Sequence, residues 1–205
     1  MSELFDLFKQ DGYKFGACSV RVYDRKNIDL YPDDFLLQLY RAMKSSGTLD
    51  ITFCGMTDLS ANSICAYLST RSPLLLMFAD DTVIGLSFPA FWIGSKDKDS
   101  ERSMIMGYTS FRQAYRTPEL VVCMMLTGIY YFNEFDLLSI SGQRFAFNRL
   151  SPRFLAQFGV RDTGYIPDFL MHNGKLVDCY LSNLSRADFE RYVTLTMLEC
   201  VKGEK

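Results

Sequence analysis

The hydrophobic positions of this chain change period several times, and each change marks an element. "FGACSVRVYD" (15–24) fits a strand, while the rest of the segment up to Arg25 keeps no clear period. "YPDDFLLQLYRAMKSSG" (31–47) has helical spacing. Pro32 suits its first turn, Asp33 and Asp34 favour the positive helix end, and Gly47 stops it. "TLDITFCGM" (48–56) alternates and predicts a strand. "DLSANSICAYLS" (58–69) opens on a capping Asp or Ser and sets Leu59, Ile64, Cys65 and Leu68 at helical spacing. Three strand-like runs follow at 73–79, 82–94 and 102–111. Asp80-Asp81 joins the first two and a Lys/Asp turn (96–99) joins the last two, as in hairpins.

A helix then opens at Thr117-Pro118-Glu119 and runs to about Phe135. Thr117 can cap, Pro118 fits the first helical position, and Glu119 complements the dipole. "LLSISGQRFAF" (137–147) reads as a buried strand. "SPRFLAQFG" (151–159) is a short helix with a Ser cap and a Gly stop. Asn173-Gly174 lies between two alternating runs and predicts a hairpin. "SRAD" (185–188) resembles a capping box with Asp for Glu and opens a last helix to about Cys200. From residue 48 the order is strand, helix, three strands, helix, strand, short helix, two strands. An antiparallel meander giving way to one crossover is an α+β or mixed α/β domain. It is expected over 48–205, with 1–47 as an N-terminal extension containing a helix.

Composition narrows the function. The chain has 205 residues, 48% hydrophobic and 15% aromatic, enough for one domain with a large core. A net charge of −2 with interspersed signs predicts no bulk attraction to nucleic acid. Six scattered cysteines lack metal-ligand spacing and read as reduced core thiols, which suits the cytoplasm. No metal is expected. Met1-Ser2-Glu3 leads straight into alternating acidic and aromatic residues, so no leader is expected. The longest apolar run, 120–132, is too short to span a bilayer.

"SFRQAYRTPELV" (110–121) combines a strand end, a basic loop and a helix start, an arrangement that favours a phosphate. The order of elements resembles the GNAT superfamily of acyl-CoA-dependent N-acetyltransferases. Residues 146–189 are similar to the back half of its ribosomal-protein-acetylating branch, through Asn148, Ser151, Gly159-Val160, Gly164, Asn173-Gly174, Asp178, Leu184-Ser185-Arg186 and Phe189. The resemblance covers 48–190. It implies a mostly antiparallel central sheet, flanked by helices, whose fourth and fifth strands splay to admit acetyl-CoA. The family loop is Gln or Arg, two residues, Gly, one residue, then Gly or Ala. It falls on Arg112, Tyr115 and Thr117, with Glu119 matching a helix Glu of the branch. Arg112 is kept and both small positions are replaced. Tyr115 adds bulk and resists positive φ beside an anion, while Arg112 and Arg116 still supply charge. The resemblance thus implies cofactor contacts at Tyr108, Ser110, Phe111, Arg112, Tyr115, Arg116, Thr117 and Asn148.

Catalytic groups are sparse. Where the family carries a Glu on the fourth strand, residues 103–111 hold no carboxylate, and its thiolate-protonating Tyr is replaced by Leu155. Tyr108 and Tyr165 are substitutes or core residues. His172, the only histidine, is a general base or a turn residue. Asp178 binds an amine or makes a structural hydrogen bond. No catalytic residue is assigned. Two readings stand. One is an acyltransferase delivering acetyl to a primary amine by direct attack, the acceptor being a small molecule, a protein N-terminus or a lysine. The other is a GNAT-fold interaction or assembly protein without chemistry, of the kind found in tailed bacteriophages, with 1–47 as a docking or homodimer segment.

Overall fold

The computed structural model describes residues 3–23, 28–93, 102–111, 117–148 and 151–203. Its strands are β1 (Lys14–Phe15), β2 (Cys18–Tyr23), β3 (Leu74–Ala79), β4 (Thr82–Ile93), β5 (Ser103–Ser110), β6 (Ser139–Phe145), β7 (Arg161–His172) and β8 (Lys175–Ser185). They hydrogen-bond in the order β1-β2-β3-β4-β5-β6-β8-β7. The helices are α1 (Glu3–Gln10), α2 (Phe35–Ser46), α3 (Leu49–Thr52), α4 (Ala61–Ser69), α5 (Pro118–Phe135), α6 (Ser151–Ala156) and α7 (Arg186–Gly203). This is the expected α+β class. The chain divides into two compact units, and β4, β5 and α5 each contribute to both.

The first unit comprises Gly12–Ala90 and Met106–Thr127. β2 pairs with β3 in an antiparallel ladder from Cys18↔Ala79 to Tyr23↔Leu74, and β3 pairs with β4 across a bulge at Met77/Phe78. Leu39, Met43, Ile64, Leu68, Leu76 and Phe88 belong to one buried core formed by α2, α4 and these strands. Each such aliphatic side chain contributes roughly 1.5–3 kcal/mol by leaving water. Gly47, at φ 69°, ends α2, and its N–H and that of Thr48 bond the carbonyls of Lys44 and Met43. Ser60 caps α4, its hydroxyl accepting from the Ser63 N–H. The boundary expected between residues 47 and 48 falls inside this unit.

The strand expected over 48–56 is instead the short helix α3 followed by a turn. Leu49 and Phe53 stand four residues apart and are both buried, while Ile51 between them is 38% exposed. Their apolar spacing satisfies a period of two and one helical turn equally, and packing decides for the turn.

The second unit comprises residues 1–11, Phe91–Ile105 and Gly128–Lys205. Its core centres on Phe5, Phe132 and Phe189, with ring centroids 5.9 Å (Phe5–Phe189) and 5.3 Å (Phe132–Phe189) apart. α1 docks through the Phe5 carbonyl, which accepts from the Asn133 side-chain amide at 2.8 Å. β6 pairs with β8 over seven residues, and β7 and β8 form the hairpin expected at Asn173-Gly174, both at positive φ. Arg186 bonds the carbonyls of Phe132 and Leu137 and the Asp136 carboxylate, tying the start of α7 to the end of α5. Half of the expected capping box forms: the Asp188 N–H donates to Ser185 Oγ, but the Asp188 carboxylate accepts from the Ser185 hydroxyl in place of its backbone N–H.

Candidate functional site

β5 and β6 run parallel, and their ladder holds Ser103↔Ser139, Met104↔Ile140 and Ile105↔Ser141. The Ser103 and Ser139 hydroxyls meet at 2.8 Å, and the Leu138 N–H donates to the Arg102 carbonyl. Among the described residues the pairing stops at Ile105. β5 nevertheless continues to Ser110 and β6 to Phe145. β6 stays paired with β8 to its end, at Phe145↔Cys179.

Past Ile105, β5 leans on β4. The Ser87 hydroxyl donates to the Gly107 carbonyl at 3.1 Å, and the Phe111 N–H donates to the Ile84 carbonyl at 2.9 Å. Gly85 is buried and sits so close to the Thr109 carbonyl that a Cβ there would lie 2.7 Å from its oxygen. At the start of α5, Thr117 Oγ1 accepts from the Leu120 N–H at 3.4 Å. The Glu119 carbonyl accepts from the Cys18 thiol, and the Phe78 carbonyl accepts from the Cys123 thiol. Burial, with Cys18 close by, pushes the Cys123 thiol up to about 12. The next described helix after β5, α5, thus opens on first-turn N–H groups, one of them taken by the Thr117 cap.

Known structures share this fold. The chain aligns with Mycobacterium smegmatis RimJ in complex with CoA-disulfide at a TM-score of 0.65 and 16% identity, covering 87% of this chain and 89% of that one. The fold is that of the GNAT N-acetyltransferases. The ribosomal-protein-S5-alanine acetyltransferase of Vibrio fischeri aligns at a TM-score of 0.61 and 13% identity over 86% of this chain and 97% of that one. A chimera of spermidine N-acetyltransferase SpeG from Vibrio cholerae and hSSAT aligns at 0.63 and 12%, over 87% and 99%. No family model matches the sequence, and no curated protein matches it.

β5 and β6 are the strands that the resemblance expected as fourth and fifth. Tyr108 is half-buried on β5, whereas Ser110 and Phe111 are buried. The Phe111 ring belongs to the first unit's core. Thr117 is half-buried and engaged as a cap. Arg112, Tyr115 and Arg116 lie outside the described residues. Asn148 belongs to the second unit, in the turn after β6, where its N–H donates to the Phe145 carbonyl.

The remaining candidates also lie in the second unit. The Tyr165 hydroxyl donates to Asp178 at 2.8 Å, and the Asp168 N–H donates to the other carboxylate oxygen at 3.1 Å. Asp178 thus fastens an irregular stretch of β7, where the register shifts between Ile166 and Leu170 and Asp168 has φ 50°. The hydrogen bond to Asp178 raises the Tyr165 pKa, with desolvation adding to it. Leu155 is half-buried on α6. His172 closes β7, stacked on Phe147 with centroids 4.5 Å apart, and its Nε2 meets the Asn173 amide. Phe145 continues the stack, 5.7 Å from Phe147 and 6.2 Å from Phe169. Beside it Arg144 pairs with Asp162 at 2.9 Å and lies 4.3 Å over the Tyr180 ring. This group was missed in the sequence; its one signal was an Arg inside the strand run 137–147.

Cys18, Cys54, Cys65, Cys123 and Cys179 are free. Among the described residues no helix is long and apolar enough to cross a membrane.

Proposed function

We propose that this protein is an acyl-CoA-dependent N-acyltransferase that moves an acetyl group from acetyl-CoA to a primary amine. The observation that carries this reading is the β5–β6 ladder, which ends after three pairs while both strands continue. Backbone of β5 from Met106 onward and the first-turn N–H groups of α5 supply donors and acceptors for a thioester, its pantetheine and a pyrophosphate. The chain fits such a ligand mainly through its backbone, because Ser110 and Phe111 turn their side chains inward. Arg112 and Arg116 add charge in the connecting sequence.

When bound, acetyl-CoA supplies a thioester carbon open to attack; the amine forms the C–N bond, the C–S bond breaks, and the amine proton leaves with the thiol. Holding the amine against that carbon, with backbone N–H groups on the developing oxyanion, accounts for much of the rate without a carboxylate on β5. We place the activity in the cytoplasm, where free thiols persist. The test is isothermal titration with acetyl-CoA, with Arg112→Ala as control. Saturable binding weakened by about 1.5–3 kcal/mol in the variant is expected for a charge-assisted phosphate contact. No binding at millimolar acetyl-CoA by a folded sample refutes the reading.

The alternative, a GNAT-fold interaction protein, is favoured by the exposed run Phe91, Trp92 and Ile93 at the end of β4, with Phe91 68% exposed. It gains if acetyl-CoA fails to bind.

A further inference from the structure

Around the end of α2, in the first unit, the surface carries a recess of about 320 Å³. That volume is at the lower end of the roughly 300–1,000 Å³ range of small-molecule sites. Tyr40 and Lys44 of α2, its Gly47 cap, Leu49 and Asp50 of α3, and Leu59 line it. Tyr40 and Leu49 are 9% and 6% exposed and belong to the unit's core, and Leu59 packs against the same core. The floor is therefore apolar and held in place from below. A Cβ at Gly47 would meet no atom within 4 Å, so the cap leaves its wall open.

Two opposite charges share this recess. Lys44 Nζ lies 5.9 Å from the centroid of the Tyr40 ring, one turn earlier, a contact that holds the ammonium at the recess wall. Asp50 follows the Gly47 cap by three residues. Among the described residues neither charge is ion-paired, with the other or with a third group, although Arg41 of the same helix faces Asp34 at 3.9 Å. Lys44 stands in the last turn of α2 and Asp50 in the first turn of α3, so each sign also suits its helix end. The helix ends account for the signs. They do not account for both charges lining one recess over an apolar floor. An ammonium and a carboxylate that leave each other unpaired are complementary to a ligand carrying both signs.

We infer that this recess binds a small zwitterion with an apolar side chain, of the class of the free aliphatic α-amino acids. The ligand carboxylate meets Lys44, its ammonium meets Asp50, and its side chain lies on Tyr40, Leu49 and Leu59. The inference concerns binding alone and goes beyond the acyltransferase reading, on which it does not depend.

Titration of the whole protein with L-leucine tests it. Leucine should bind saturably at millimolar concentration. Leucinamide, which lacks the carboxylate, and isocaproate, which lacks the amine, should each bind about five-fold more weakly, the upper end for an exposed ion pair. Lys44→Gln should weaken leucine by about five-fold and leave leucinamide unchanged, and Asp50→Asn should weaken leucine similarly and leave isocaproate unchanged. Thermal melts establish that each variant is folded. Charges that served only the helix ends would shift the melts and leave the preference for leucine over its two truncated analogues as it is in the parent. That result, or a folded parent that binds no leucine at millimolar concentration, overturns the inference.

Discussion

Gly107→Ala tests whether β5 is packed as described. A Cβ at Gly107 would lie 2.5 Å from Phe88 Cε2, 2.7 Å from Cζ and 3.1 Å from Cδ2. Carbon atoms pack best at about 3.5–4.0 Å, so the ring must withdraw by roughly 1 Å. It has little room. Phe88 is 2% exposed, stacks on Phe53 at 6.1 Å with planes 3° apart, and meets Tyr67 edge-on. Overpacking of this kind costs about 1–3 kcal/mol. Loss of glycine's freedom in the unfolded chain offsets about 0.4–1 kcal/mol. The net expectation is about 1–2 kcal/mol of destabilisation, read from the urea midpoint with the slope unchanged. Phe88→Leu removes the Cε2 and Cζ atoms and should cost roughly 1–2 kcal/mol alone, as a partial cavity. In the double variant the clash is gone, so its loss should fall short of the sum by about 1 kcal/mol. A neutral Gly107→Ala, or strict additivity of the two changes, would show that Phe88 does not lie on Gly107.

Two further predictions concern pH. Asp178→Asn should lower the titration of the Tyr165 phenol toward its ordinary 10.0, because the hydrogen bond to the carboxylate is the largest cause of its rise. With the folded value raised, this contribution is fully present below pH 10 and is lost as pH climbs through the folded value. An ultraviolet phenolate titration that does not move in the variant contradicts the Tyr165–Asp178 bond. Cys123, raised from 9.0 to about 12, should resist thiol reagents in the native protein and react at the rate of unfolding. Its contribution to stability holds below pH 9 and disappears between pH 9 and about 12; rapid native labelling of Cys123 by an aromatic disulfide near pH 8 would refute its burial.

Local signals in the sequence were legible where one or two residues decide the backbone. Ser60 and Thr117 cap the helices they were expected to cap, Asn173-Gly174 makes the hairpin, and Ser185 caps α7. Each depends on neighbours a few residues away, so chain context suffices. α3 was misread because Leu49, Ile51 and Phe53 fit two periods until Leu49 and Phe53 find a core. α1 is of the same kind: Phe5 and Phe8 stand at helical spacing, but the short segment is held by Phe189 and Asn133, far away in sequence. The fold was legible as an order of elements and as a resemblance. What the order does not contain is where a parallel ladder stops, since that depends on strand partners rather than on residues at the break.

That distinction also bears on the two functional readings. The features counted against chemistry are side chains: no carboxylate over 103–111, Leu155 in place of a tyrosine, Tyr115 and Thr117 in place of small residues. The feature that supports it is backbone: a β5–β6 ladder of three pairs, the last at Ile105, and the first turn of a helix that Thr117 caps. Transfer of an acyl group to an amine draws chiefly on position and on backbone donors, which side-chain replacement leaves in place. Acetyl-CoA affinity, rather than a search for a general base, is therefore the quantity that decides between the readings.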